Sequence, residues 1–231
     1  MSESIYDVYG GKDGYLEQTK RAWQRAGGFP IDKENVYPEH KIAQEFDSIT
    51  RKVVLEYGCG VGSDMLSYLK RGNYVVAVDI TPENVDTARK NAGSFGDNAD
   101  FFVLDKSDDL PFVEKGFDVF NMHGVLMHIV EPEPVLRELY RVLKHGGLGY
   151  VMLYTEFLFE RAKPNIEQWM KDDNMTQEQA FCQFTDGPGS PYARYYTEQE
   201  GKELLESVGF EVLSTYIYNN GDFRCFRLIK K

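Results

Sequence analysis

Residues 52–64 read KVVLEYGCGVGSD. The run Lys52–Tyr57 is short, mostly apolar and rich in valine, and it predicts a buried strand; Val61–Lys70 follows as a helix. Gly58, Gly60 and Gly62 therefore stand between a strand and a helix. That context separates a ligand-binding loop from a chance cluster of glycines. Glycine there lets the chain turn sharply and lets a ligand approach the backbone with no Cβ in the way.

The same alternation extends outward. Tyr74–Asp79 reads as a second strand and Pro82–Asn91 as a helix with proline in its first turn. Ala99–Leu104 and Phe117–Met122 read as further strands. Pro134–Lys144 places Val135, Leu136, Leu139, Val142 and Leu143 on one helical face and stops at His145-Gly146-Gly147, and Gly149–Tyr154 supplies a fifth strand. Strands alternating with helices predict a mostly parallel sheet. Before this core lies a helix over Tyr15–Ala26. After it come a helical stretch from Glu156 to about Gln183, a loop over 185–191, and a helix opened by a Thr197/Glu200 capping box and ended by Gly209. Glu211–Tyr218 and Phe223–Ile229, joined through Asn219–Asp222, predict an antiparallel hairpin.

Asp79 closes the second strand 21 residues after Gly58, where a carboxylate accepts hydrogen bonds from both hydroxyls of an adenosine ribose. The third glycine of the dinucleotide pattern G-x-G-x-x-G would fall on residue 63, which is Ser63. Glu56 and Asp64 flank the loop, where a pyrophosphate would meet like charge. A ligand carrying a sulfonium and an ammonium group suits the same carboxylates. The loop therefore predicts S-adenosylmethionine rather than NAD.

Composition sets the outer bounds. Against 26 Lys and Arg stand 37 Asp and Glu, a net charge of −11, and the basic residues form only isolated pairs. Nucleic-acid binding depends on clustered cations, so no nucleic-acid partner is expected. No apolar run approaches the roughly 18 residues that span a bilayer, and residues 1–13 show neither a basic segment nor an apolar h-region, so a cytoplasmic chain with no membrane partner is expected. Cys59, Cys182 and Cys225 are far apart with no C-x-x-C spacing; neither a disulfide framework nor a bound metal is expected. With nothing nearby to lower its pKa, Cys59 reads as a small residue beside the ligand.

Five landmarks resemble the class I, Rossmann-like S-adenosylmethionine-dependent methyltransferases, in particular the bacterial small-molecule group: VLEYGCGVGSD (54–64), VVAVDITPENV (75–85), LPF (110–112), HGVLMHI (123–129) and RVLKHGG (141–147). The match is close over 52–154 and loose outside it. The resemblance implies an α/β fold: a mostly parallel seven-stranded Rossmann-like sheet with an antiparallel last strand, a helical N-terminal lid and a helical insertion after the fifth strand. One methyltransferase domain, 1–231, would divide into a lid (1–45), a cofactor-binding core (46–155), an insertion or substrate cap (156–196) and a C-terminal helix and hairpin (197–231). By the same resemblance Glu56, Gly58, Cys59, Gly60 and Gly62 line the methionine end of the cofactor, Asp79 holds the ribose and Ile80 packs on adenine. Asp105 takes the adenine amino group, although its spacing to LPF is one residue longer than usual and Lys106 follows it. Met122, His123 and Gly124 face the cofactor and open toward the substrate. Where relatives often carry two adjacent histidines, this chain has Met127-His128.

Methyl transfer from a sulfonium is an in-line displacement, and its main demand is alignment of acceptor, methyl carbon and sulfur. A hydroxyl acceptor needs a base, and His123 and His128 are the candidates. His123 is preferred because it directly follows the fourth strand, at the carboxyl end of the sheet. Tyr37 and His40 in the lid, and Arg194 and Tyr195 beyond the insertion, are candidate contacts for a small-molecule substrate. Two other readings stay open: a non-catalytic S-adenosylmethionine-binding scaffold or regulator and, disfavoured by Ser63 and Glu56, an NAD-dependent dehydrogenase. Oligomeric state is not legible.

Overall fold

The computed structural model describes residues 11–25, 38–106, 108–189 and 191–231. In chain order its main elements are α1 (Lys12–Arg25), α2 (Pro38–Ala43), β1 (Val53–Tyr57), α3 (Ser63–Leu69), β2 (Tyr74–Asp79), α4 (Pro82–Ala92), β3 (Ala99–Val103), β4 (Phe117–His123), α5 (Pro132–Val142), β5 (Leu143–Tyr154), α6 (Glu156–Asp172), α7 (Gln177–Asp186), α8 (Glu198–Ser207), β6 (Phe210–Tyr218) and β7 (Phe223–Lys230).

The strands form one sheet in the order β3-β2-β1-β4-β5-β7-β6, in which only β7 runs antiparallel to its neighbours. β1 lies inside this sheet, paired in parallel with β2 and β4. Val54, Leu55, Glu56 and Tyr57 are all buried, because a central parallel strand has no solvent-facing side. The chain moves outward from β1 to β3 and then returns to β4 on the other side of β1. The loops leaving β1 and β4 thus diverge, and a crevice opens at the carboxyl ends of the strands.

Local chemistry explains where the elements begin and end. α4 takes Pro82 at its start, where the missing N–H has no intrahelical partner to lose, and packs on β2, β3 and α3. α5 begins at Pro132 rather than at Pro134; both prolines fit the first turn. It stops at Val142, before the expected end at Lys144, because Leu143 is already extended and pairs with Phe117. The β6–β7 hairpin turns through Asn219 and Asn220, both left-handed with φ of 54° and 56°, a conformation asparagine tolerates.

The helical stretch expected over 156–183 is two helices. Thr176 accepts from the Gln179 N–H while the Gln179 side chain accepts from the Thr176 N–H, a capping box that starts α7 anew. Beyond α7 the chain returns across the sheet: the Arg194 N–H donates to the Met127 carbonyl at 3.0 Å and the Tyr196 N–H to the Tyr154 carbonyl at 2.9 Å. α1 arrives from the other side. Its Tyr15 hydroxyl donates to the His128 carbonyl and its Gln18 amide to the Gly189 carbonyl, each at 3.0 Å. Helix and returning segment therefore meet over the carboxyl end of β4.

Candidate active site

The glycine loop is tied down before any ligand is considered. The N–H groups of Gly58 and Cys59 both donate to the Val78 carbonyl, at 2.8 and 2.9 Å, fastening the end of β1 to β2. A Cβ on Gly58 would lie 2.3 Å from Val125 Cγ2, so glycine lets this loop touch the loop after β4. Gly60 differs: it sits at φ +51°, and a Cβ there would meet nothing within 4 Å. Its backbone faces open space, where a ligand can reach it. Gly62 is a packing position, its would-be Cβ 3.1 Å from Ala88 Cβ.

Asp79 stands beside Gly60. One carboxylate oxygen accepts from the Gly60 N–H at 2.9 Å and the other from the Thr81 N–H at 2.8 Å, with the Asn84 amide at 3.5 Å from both. Burial pushes its carboxyl above the ordinary range, and the hydrogen bonds from Thr81, Gly60 and Asn84 pull it back.

Below the loop lies a buried carboxylate cluster. Asn121 of β4, in register with Glu56, donates its amide to both Glu56 oxygens at 3.1 Å and approaches Asp64 at 3.4 Å. The other Asp64 oxygen pairs with His40 Nε2 at 2.9 Å, and His123 Nδ1 lies 3.8 Å from Asp64. Tyr218 of β6 closes the group, its hydroxyl 2.9 Å from His123 Nε2 and 3.4 Å from His40 Nδ1. Burial, with Cys225 and Asp64 adding to it, drives the Tyr218 phenol well above its ordinary range, so it stays protonated.

A second cluster surrounds His128, which is 6% exposed. Its Nδ1 is 2.9 Å from the Tyr192 carbonyl and so carries the proton. Nε2 is buried with no hydrogen-bond partner, a situation that costs on the order of 1–3 kcal/mol if nothing occupies it. The Trp23 ring stands edge-on to the imidazole at 4.7 Å. Asp186 Oδ2 lies 3.7 Å from Nε2, and the Tyr154 hydroxyl donates to Asp186 Oδ1 at 2.9 Å.

One cavity of about 230 Å³ joins these parts, running from Gly58, Cys59, Gly60, Asp79 and Ile80 past His40, His123 and Tyr218 to Trp23, His128, Tyr154 and Asp186. Three of the chain's 4 histidines line it, His40, His123 and His128, each of them a candidate site residue by sequence. The other expected residues lie elsewhere. Glu56 and Met122 are buried behind the wall, Gly62 is in the α3–α4 contact, and Asp105 is exposed at the sheet's rim. Arg194 stacks over the Tyr196 ring at 4.3 Å and lies 3.9 Å from Glu200, while Tyr195 packs on Phe159 at 4.3 Å; both border a separate depression. Tyr37 lies outside the described residues. Asn121, Tyr218, Trp23, Tyr154 and Asp186 were not anticipated. Of these only Asn121 left a signal, as a polar residue inside the apolar strand FDVFNMH.

The family model described as Methyltransferase domain matches residues 55–151. A relative of similar plan, the S-adenosyl-L-methionine-dependent Diels-Alderase iccD of Talaromyces variabilis, is 30% identical over 208 residues, covering 88% of this chain and 67% of that protein. The chain belongs to the class I, Rossmann-like S-adenosylmethionine-dependent methyltransferases. Ubiquinone biosynthesis O-methyltransferase of Pasteurella multocida is also 30% identical, over 146 residues that cover 59% of this chain and 60% of that one. The chain thus spans three-fifths to two-thirds of the length of these relatives. Among solved structures, Burkholderia thailandensis 1,6-didemethyltoxoflavin-N1-methyltransferase with bound S-adenosylhomocysteine superposes with a TM-score of 0.59 at 19% identity, covering 97% of this chain and 84% of that one, a likeness of fold.

The cofactor of this methyltransferase family is S-adenosylmethionine, and the residues present suit it. Gly60 is a cradle that any side chain would fill, and Asp79 is a buried carboxylate at its edge with lone pairs left for ribose hydroxyls. Ile80 and Leu104 add apolar wall beside Asp79.

Proposed function

We propose that this chain transfers the methyl group of S-adenosylmethionine to an oxygen or nitrogen of a small-molecule metabolite held at the His123–His128 end of the cavity. The observation that carries this reading is the continuity of the cavity from Gly60 and Asp79 to Trp23, His128 and Tyr154. In-line displacement requires the acceptor on the far side of the methyl carbon from sulfur, and an acceptor seated there would share one continuous space with a cofactor held at Gly60 and Asp79. Gly58, Cys59 and Gly60 would hold the methionine portion, Asp79 the ribose and Ile80 the adenine, with Glu56 and Asp64 supplying negative charge from behind the loop.

Where the acceptor is a hydroxyl, His123 takes its proton as the bond to the methyl carbon forms and the carbon–sulfur bond breaks. Asp64, 3.8 Å from Nδ1, favours the resulting imidazolium, and Tyr218 orients Nε2. Residues 46–155 act as the cofactor core, with the described parts of the flanking regions, 11–25, 38–45, 156–189 and 191–196, enclosing the acceptor within a single domain. A net charge of −11 supports a small-molecule acceptor over a nucleic acid. The discriminating experiment is calorimetric titration with S-adenosylmethionine and NADH, followed by assay of metabolite pools for S-adenosylhomocysteine release. Saturable binding of the first alone, with one S-adenosylhomocysteine per product, supports the proposal; NADH binding sinks it.

A second reading rests on the similarity to a protein named as a Diels-Alderase. On that reading the cofactor of this chain would stay intact and the mostly apolar wall around Trp23, Val125, Ile129 and Phe223 would fold a substrate for ring closure. Product formed without S-adenosylhomocysteine selects this reading.

A further inference from the structure

We propose that His128, Cys182 and Asp186 form a binding site for a zinc-like divalent metal ion at the acceptor end of the cavity. Cys182 and Asp186 stand four residues apart on α7 and so share one face of that helix, while His128 comes from the short turn after β4. The fold brings His128 to Cys182 across 54 residues of sequence.

The distances suit a metal. His128 Nε2 is 3.7 Å from Asp186 Oδ2, Cys182 Sγ is 3.8 Å from the same oxygen, and one ligand atom from each of the three side chains lies within 4.8 Å of the others. A tetrahedral ion with bonds of about 2.0–2.3 Å spaces its ligands roughly 3.3–3.8 Å apart, so a small inward movement would complete the set. An ion pair between His128 and Asp186 would instead bring nitrogen and oxygen to about 2.8 Å.

The orientation of the imidazole is a second, independent observation. Because Nδ1 bonds the Tyr192 carbonyl, the lone pair is on Nε2, which is buried, unpartnered and turned toward Asp186. Sγ also lies 3.8 Å from Nδ1, but that nitrogen is committed to Tyr192. A histidine ligand held by a carbonyl on its far nitrogen, and a carboxylate held by neighbouring hydroxyls, is the usual outer support of a metal site. Here the Tyr154 hydroxyl donates to Asp186 Oδ1 at 2.9 Å and the Thr185 hydroxyl to Oδ2 at 2.5 Å. One nitrogen, one sulfur and one oxygen select zinc or its congeners over magnesium and calcium, which take oxygen throughout.

Binding releases the Cys182 thiol proton to solvent as the metal–sulfur bond forms. His128 and Asp186 line the cavity, so the fourth position faces the acceptor. Resting on the methyl-transfer reading above, a hydroxyl or thiol acceptor would occupy that position and lose its proton more readily there.

The test uses tag-free, metal-stripped protein titrated with cobalt(II), with S-adenosylmethionine affinity measured on the same samples. The expected result is one cobalt per chain, a near-ultraviolet thiolate-to-cobalt band, and displacement by zinc. Cys182→Ser should abolish that band, and His128→Ala should weaken cobalt binding by at least about tenfold. His123→Ala should leave the spectrum unchanged. Absence of the band in wild-type protein, or its persistence in Cys182→Ser, overturns the site. If S-adenosylmethionine still binds in that case, the metal proposal fails alone and the cofactor assignment stands.

Discussion

Asn121 donates its side-chain amide to both carboxylate oxygens of Glu56 at 3.1 Å and reaches toward Asp64 at 3.4 Å. Two buried acids flanking the glycine loop are thus held by one amide. The negative charge that distinguishes this loop from a pyrophosphate site is placed beneath the ligand, behind the wall.

Asn121→Leu should therefore destabilise the protein by about 2–3 kcal/mol, because buried charged acceptors lose their donor. Asn121→Asp should cost more at neutral pH, since a third carboxylate joins the cluster. Protonating one of three adjacent carboxylates relieves their mutual repulsion, so the lost stability should return as pH falls. Urea unfolding of both variants at neutral and mildly acidic pH checks this. Equal losses at the two pH values for Asn121→Asp would contradict the shared-amide account.

Asp79→Ala should weaken S-adenosylmethionine binding by about 2–3 kcal/mol, roughly 30- to 150-fold, through loss of two ribose hydrogen bonds to a charged acceptor. Calorimetry on a variant with native circular dichroism is the measurement. An unchanged dissociation constant removes Asp79 from the cofactor site.

Burial also makes Asp79 pH-sensitive. Its folded pKa lies above the unfolded one, so its contribution to the stability of the ligand-free protein is greatest at low pH and declines as pH rises through the folded value. Ribose hydroxyls favour the ionised form, so cofactor affinity should rise over that same window and level off above it. Asp79→Asn should flatten the acid limb of the affinity profile. A limb that survives in Asp79→Asn assigns it to another group.

The glycines divide by what surrounds them. Gly60→Val should carry a backbone cost at φ +51° but, in the protein that remains folded, abolish cofactor binding, because the side chain would enter the ligand's space. Gly58→Ala should instead lower the melting temperature, because its Cβ meets Val125. Paired thermal melts and titrations separate the two, and the reverse pattern would invalidate the assignment of Gly60 to the ligand.

His123→Ala should lower single-turnover methyl transfer to a hydroxyl acceptor by about a hundredfold or more, with cofactor affinity nearly constant. His128→Ala should weaken metal binding as well as lower the rate. Wild-type rates in both variants, across pH and at saturating cofactor, would leave positioning as the source of catalysis.

The strand, glycine loop and following acid were legible because each has a local signature: an apolar run, residues free of Cβ, and a carboxylate at a strand's end. The inward role of Glu56 was not. The stretch VLEY (54–57) is buried on both faces, so no alternation reveals which way Glu56 points, and its partner Asn121 is adjacent only through sheet pairing. The break before α7 was legible in Thr176 and Gln179 but was masked by helical composition on either side. His40 is far in sequence from the neighbouring pair His123 and His128, and the meeting of all three with Tyr218 and Asp186 is a product of topology, which sequence spacing does not encode.

Trp23 is one of only 2 tryptophans, the other being Trp169 on α6, and its ring stands 4.7 Å from the His128 imidazole. A protonated or metal-bound imidazole at that distance alters indole emission, whereas Trp169 does not line the cavity. With Trp169 replaced by phenylalanine, the molecule becomes its own optical probe: a single fluorophore, already seated, whose brightness follows what occupies the neighbouring nitrogen in real time and without a label.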